Sequence, residues 1–92
     1  MTFAVYVIES VSSGRRYVGH TADVVRRLAE HNKPDHKRRK YTSKQAGPWR
    51  LTHLENYPDR SEAMRRERWL KTGVGRRWLD AEFGRASPPR AD

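Results

Sequence analysis

The sequence predicts a small α/β (α+β) domain, with a three-stranded antiparallel or mixed sheet flanked by helices in the order ββαβαα. Three observations predict it. The chain has 92 residues, 35% of them hydrophobic, which suits one core and not two. It opens on a Val-, Tyr- and Ile-rich run, then a Ser-Ser-Gly turn and a second short run, the pattern of a hairpin. Further on, two segments carry apolar residues at helical spacing behind capping residues.

The first strand is expected over residues 3–9. Phe3, Val5 and Val7 share one face, and Ala4, Tyr6 and Ile8 the other. Both faces are apolar, so the strand is expected at the centre of the sheet, covered on both sides. Ser12-Ser13-Gly14 marks the turn, and the second strand follows over 16–20. Thr21 or Asp23 caps a helix running to about Asn32, with Val24 and Leu28 on its apolar face. Residues 33–44 are polar and basic, contain Lys37-Arg38-Arg39-Lys40, and lack periodicity, so they read as a loop. A third strand is expected over 49–57. Asp59, with Glu62 three residues on, begins a second helix that runs to about Thr72 and stops at Gly73. A short third helix follows over 75–83. Residues 1–84 are therefore expected to form one domain, and 85–92, rich in Pro, Arg and small residues, a disordered tail.

Composition narrows the function. Cysteine is absent, which excludes disulfides, Cys-ligated zinc, iron–sulfur clusters and thiol chemistry. No apolar run approaches the length of a membrane span, and no secretory signal is visible at Met1-Thr2-Phe3. The expected compartment is the cytoplasm. Twenty Lys and Arg stand against eleven Asp and Glu, a net charge of +9, and fifteen of the twenty cations are Arg. The planar guanidinium matches phosphate oxygens two at a time, so the field favours DNA, or RNA, bound in a salt-dependent way.

Five residues form the candidate chemistry. Tyr6 and Tyr17 lie on the two strands of the hairpin, where phenols on one face come within short range. Such a pair is also a common core feature. Gly19 leaves that face free of a side chain beside Tyr17, with room for a ligand or a close backbone approach. Arg27 and His31 stand four apart on the first helix, beside its apolar stripe. An Arg there either extends its head to water or binds phosphate. Glu67 recurs at helical spacing with Ala63, Leu70 and Val74, an inward position that needs a salt bridge, hydrogen bonds or a metal. One carboxylate suits Mg²⁺, which keeps most of its waters and takes a phosphate oxygen. The Arg neutralises phosphate charge, and a Tyr or His orients or deprotonates the attacking water.

Together these motifs resemble the GIY-YIG nuclease family. The likeness rests on Ala4-Val5-Tyr6, on Tyr17-Val18-Gly19 with Thr21, Asp23, Arg27 and His31 following, and on Glu62-Ala63, Glu67 and Lys71. It spans about residues 3–83 and is nearest to the short stand-alone bacterial members. The resemblance implies a Mg²⁺- or Mn²⁺-dependent endonuclease that hydrolyses DNA, with roles in repair or recombination. It places Tyr6 and Tyr17 near the attacking water and scissile phosphate, Arg27 on the phosphate, His31 in an auxiliary catalytic role and Glu67 on the metal. Lys37, Arg38, Arg39, Lys40, Tyr41 and Lys44 are the expected nucleic-acid contacts. Two departures stand out: Ala-Val-Tyr replaces Gly-Ile-Tyr, and no Asn follows Glu67. No separate DNA-binding domain is visible, so specificity is expected from the core, a dimer or a partner protein. The alternative is a non-catalytic nucleic-acid-binding module on a retained nuclease fold.

Overall fold

Strand β1 (Phe3–Ser10) is apolar on both faces, and that requires cover on both. In the computed structural model it is the central strand. β2 (Arg16–Thr21) pairs with it on one side and β3 (Trp49–Tyr57) on the other, both antiparallel. The structure describes residues 2–33 and 48–84. The expected loop carrying Lys37, Arg38, Arg39, Lys40, Tyr41 and Lys44, and the expected tail over 85–92, lie outside the described residues. Helix α1 (Val24–Asn32) follows β2, and α2 (Arg60–Leu70) and α3 (Gly73–Phe83) follow β3.

The alternation along β1 divides the core into two layers. Val5 and Val7 pack with Val18, Ala63, Leu70 and Leu79 beneath α2 and α3. Tyr6 and Ile8 pack with Trp49 on the other face, against Tyr17, Val24 and Leu28. Each fully buried Val or Ile contributes roughly 1.5–3 kcal/mol.

The hairpin turn closes where Gly14 takes φ 75° and its N–H donates to the Ser10 carbonyl, a conformation cheap only for glycine. In β3 the leucines stand three apart, at odds with strict alternation. A bulge resolves this. Val7 pairs with His53 but Ile8 with Leu51, so Thr52 is the extra residue. Leu51 and Leu54 thereby come onto one face, and the Thr52 hydroxyl donates to the Val7 carbonyl at 3.1 Å.

Of the two candidate caps for α1, Asp23 fills the position, accepting from the Arg26 N–H. Asp59 caps α2 by accepting from the Glu62 N–H at 2.9 Å. Helix α2 ends at Leu70, short of the expected Thr72, and α3 begins at Gly73, ahead of the expected Gly75. Thr72 causes both shifts. Its hydroxyl donates to the Trp69 carbonyl at the end of α2 and accepts from the Gly75 N–H at the start of α3. Because the helix breaks there, Val74 does not continue the inward stripe of Ala63 and Leu70; it is exposed.

Long-range polar contacts fix the layers. The Asn32 side chain bonds both the N–H and the carbonyl of Trp49, tying α1 to β3. Arg16, on β2, holds Asp80 of α3 and the Gly84 carbonyl. Glu55, on β3, accepts from Arg66 of α2 and from His53 and Tyr57.

Candidate active site

The β1–β2 register explains how the two tyrosines meet. Tyr6 pairs with Gly19 and Ile8 with Tyr17, so the phenols are diagonal neighbours on one face, ring centroids 6.3 Å apart. The space at Gly19 is taken by the Tyr6 hydroxyl. A Cβ there would lie 2.6 Å from that oxygen. The glycine thus admits a side chain, not a ligand or another backbone.

Helix α1 lays His31 over this pair. The Tyr6 hydroxyl and His31 Nε2 share a buried hydrogen bond of 2.8 Å. The Tyr17 and His31 ring centroids are 5.0 Å apart. Tyr6 and His31 are buried, whereas Tyr17 is only half-buried. Burial pushes the Tyr6 phenol up to about 12, and the nearby Arg27 guanidinium offsets only part of that. Tyr6 therefore keeps its proton at neutral pH and is not a resident phenolate base. Arg27 is half-buried, and its NH1 donates to Glu30 Oε1 at 3.0 Å. Interaction with Tyr6, followed by that with Glu30, raises its pKa against the effect of burial, so it is a permanent cation.

Glu67 approaches the same edge strand from the other layer. His20 pairs with Val5 and so faces α2, where its Nδ1–H donates to Glu67 Oε1 at 2.6 Å. Lys71 Nζ donates to Oε2 at 2.7 Å. Burial works to raise the Glu67 pKa, but the bonds from Lys71 and His20 prevail and hold it below the usual carboxylate range. The charge on Glu67 is felt at Tyr6. Tyr6 and Tyr17 of the sheet thus meet Arg27 and His31 of α1, while Glu67 stands across β2 from them.

Sequence reasoning missed two contributors. His20 directly follows Tyr17-Val18-Gly19, and strand alternation from Val18 would have put it on the α2 face. Glu30 stands three residues after Arg27, a helical pair spacing.

A family profile described as the GIY-YIG catalytic domain matches residues 2–78, and the chain belongs to the GIY-YIG nuclease family. A UPF0213 protein of Halobacterium salinarum is 51% identical over 67 residues, covering 73% of this chain and 82% of its own. A UPF0213 protein of Haloquadratum walsbyi is 40% identical over 68 residues, covering 74% of this chain and 72% of its own. The solution NMR structure of a UPF0213 protein of Bacillus halodurans superposes with a TM-score of 0.52 at 30% identity. That match covers 91% of this chain and 87% of the other. These relatives are small stand-alone members of the same family.

Proposed function

We propose that this protein is a metal-dependent endonuclease that hydrolyses DNA phosphodiester bonds, with residues 1–84 as the nuclease domain and 85–92 as a tail. The observation that carries the reading is the Tyr6–His31 hydrogen bond, with the Arg27 guanidinium of the same helix interacting with Tyr6 and the half-buried Tyr17 ring against His31. Phosphodiester hydrolysis needs a cation on the phosphate, a group to orient water and a place for its proton.

Each residue has a task. Arg27 binds a non-bridging phosphate oxygen, exchanging part of its bond to Glu30 for the ligand. Tyr17, the more exposed phenol, orients the attacking water. The Tyr6 hydroxyl and His31 Nε2 share a hydrogen bond, so a proton from water can pass to the Tyr6 oxygen as the Tyr6 proton moves to Nε2. Tyr6 then stays neutral throughout, consistent with its raised pKa.

Glu67 is the residue to hold a cation. It is ionised, part-exposed and borne on α2. Among the described residues no cluster of three or more His, Asp or Glu surrounds it. A bound cation would therefore take most of its shell from water and phosphate oxygens, which suits Mg²⁺ or Mn²⁺. When bound, such an ion supplies charge neutralisation at the phosphate. The substrate is DNA, with RNA the second arm of the test. DNA repair or recombination is the expected setting, with specificity completed by the core, a dimer or a partner protein.

One observation favours the second reading, a non-catalytic nucleic-acid-binding module. Both oxygens of Glu67 are already satisfied, by His20 and Lys71, and a carboxylate so paired has a structural role without any metal. The experiment separates the two. Labelled branched, nicked, duplex and single-stranded DNA, and RNA, are incubated with Mg²⁺, Mn²⁺ or EDTA. An Arg27→Ala, Glu67→Ala double variant runs alongside. Metal-dependent cuts that fall at least about a hundredfold in the variant establish the nuclease. Binding without cuts on any substrate establishes the module.

A further inference from the structure

We infer that Glu30 is a displaceable counter-ion at the phosphate site: it holds the Arg27 guanidinium, and it passes to Arg26 when a nucleic-acid phosphate takes that guanidinium. The inference rests on the reading of Arg27 as the phosphate ligand. It goes beyond that reading by giving the displaced carboxylate a destination and by assigning Arg26 to the site.

Three observations carry it. The Glu30 carboxylate lies between two consecutive arginines of α1. Oε1 accepts from Arg27 Nη1 at 3.0 Å, and Oε2 lies 3.9 Å from Arg26 Nε. The first is a charge-assisted hydrogen bond; the second is too long for one. Glu30 is therefore bonded to Arg27 and only close to Arg26. Exposure also separates the two arginines. The Arg27 and Glu30 side chains are 30% and 31% exposed, whereas Arg26 is 73% exposed. The bonded guanidinium thus stands at the site, beside Tyr6, and the second one stands in solvent. Finally, Glu30 is three residues after Arg27 and four after Arg26 on one helix, the two spacings at which helical side chains meet. Exchange needs side-chain rotation alone. A lean of about 1 Å brings Oε2 within hydrogen-bond range of Arg26.

Phosphate chemistry gives the exchange its reason. A guanidinium grips a phosphate best through two parallel N–H groups. With Nη1 on a carboxylate, the whole fork is open to phosphate only after Glu30 lets go. A carboxylate that stayed beside the bound phosphate would repel it. On Arg26 the same carboxylate meets a second guanidinium, so no charge is created or lost and only the partners change. Before the exchange, Glu30 keeps the half-buried Arg27 cation paired next to Tyr6 and His31.

The test is a double-mutant cycle on binding. The full chain is titrated in EDTA into a fluorescein-labelled DNA duplex at fixed salt, and Kd is read by fluorescence anisotropy. Glu, Arg and Gln have similar helix propensities, so substitutions to Gln keep α1. Glu30→Gln is expected to tighten binding about threefold to tenfold, the scale for removing one like charge close to a phosphate near the surface. Glu82→Gln, at an exposed acid on α3, controls for net charge and should tighten binding less. Arg26→Gln is expected to weaken binding, and to do so at least about threefold more in the wild-type chain than beside Glu30→Gln. Two independent surface charges would instead give additive effects. Additive effects overturn the inference, as does a Glu30→Gln chain that binds no tighter than Glu82→Gln. A chain that shows the coupling yet cuts nothing with Mg²⁺ or Mn²⁺ keeps this inference and loses the nuclease. A chain that cuts while Arg26 and Glu30 act independently does the reverse.

Discussion

The Tyr6 hydroxyl lies where a side chain at position 19 would be, 2.6 Å from the site of its Cβ, with the Tyr17 ring edge 3.1 Å away. An added methyl must push Tyr6, and Tyr6 is the partner that holds His31. Gly19→Ala is therefore expected to cost about 1–3 kcal/mol by overpacking and to lower the cleavage rate by about a hundredfold, the scale for a displacement near 1 Å at reacting groups. Single-turnover kinetics with a thermal melt on the same sample checks both halves. A normal rate would place the reacting groups elsewhere than on Tyr6. Tyr6→Phe is a related case. Since the phenol is pushed up to about 12 by burial, it is not titrated below pH 9. Any alkaline limb in the wild-type rate profile in that range therefore belongs to another group, and Tyr6→Phe should lower the plateau without moving the limb. A limb that shifts with Tyr6→Phe would contradict the raised phenol.

Between elements, two contacts decide how α2 and α3 sit on the sheet. A Cβ at Gly75 would collide with the backbone of Trp69 and Leu70, because α3 turns back directly behind the end of α2. Gly75→Ala is expected to cost about 1–3 kcal/mol by overpacking. Gly73→Ala, which meets only the flexible Arg77 guanidinium at 3.6 Å, should cost far less. Urea midpoints of the two variants compare them directly. The second contact is Glu55, which joins β3 to α2 through Arg66, itself over the Trp69 and Trp78 rings. Burial alone would raise the Glu55 pKa. The bonds from Arg66, His53 and Tyr57 instead bring it down from 4.5 to about 2. A depressed folded-state pKa contributes stability that is fully present above 4.5 and is lost as pH falls toward about 2. Glu55→Gln is expected to lose about 1–3 kcal/mol at pH 7, and the gap to wild type should close between pH 4.5 and 2. A gap that holds constant with pH would mean that the charge of Glu55 contributes nothing.

At the scale of the molecule, the net charge of +9 sets how nucleic acid is met. Neutralising Lys37, Arg38, Arg39 and Lys40 together is expected to weaken binding equally for all sequences. It should also flatten the dependence of affinity on salt by up to about 0.9 per lost phosphate contact. An unchanged salt slope would remove those residues from the interface. Among the described residues no helix is long and apolar enough to cross a membrane.

Much of this protein was legible in the chain because the signals are local. The two apolar faces of β1, the Asp59 cap of α2 and the bounds of β3 depend on residues one or two positions apart or within one helical turn. Tyr6, Tyr17, Arg27 and His31 were legible as a group for the same reason: they fall on a hairpin and the helix that follows it. What escaped depends on partners far along the chain. The bulge at Thr52 exists because β3 must match a strand that it meets only after folding. Thr72 ends one helix and starts the next because α3 folds back on α2. His20 and Glu67 stand 47 residues apart and meet only where α2 crosses the edge strand. Sequence by itself determined the elements, their order and the chemistry of the side chains. Tertiary structure alone decided that burial keeps the Tyr6 proton in place and that Glu67 is shared between an imidazole and an ammonium, because burial and long-range pairing are properties of the packed molecule.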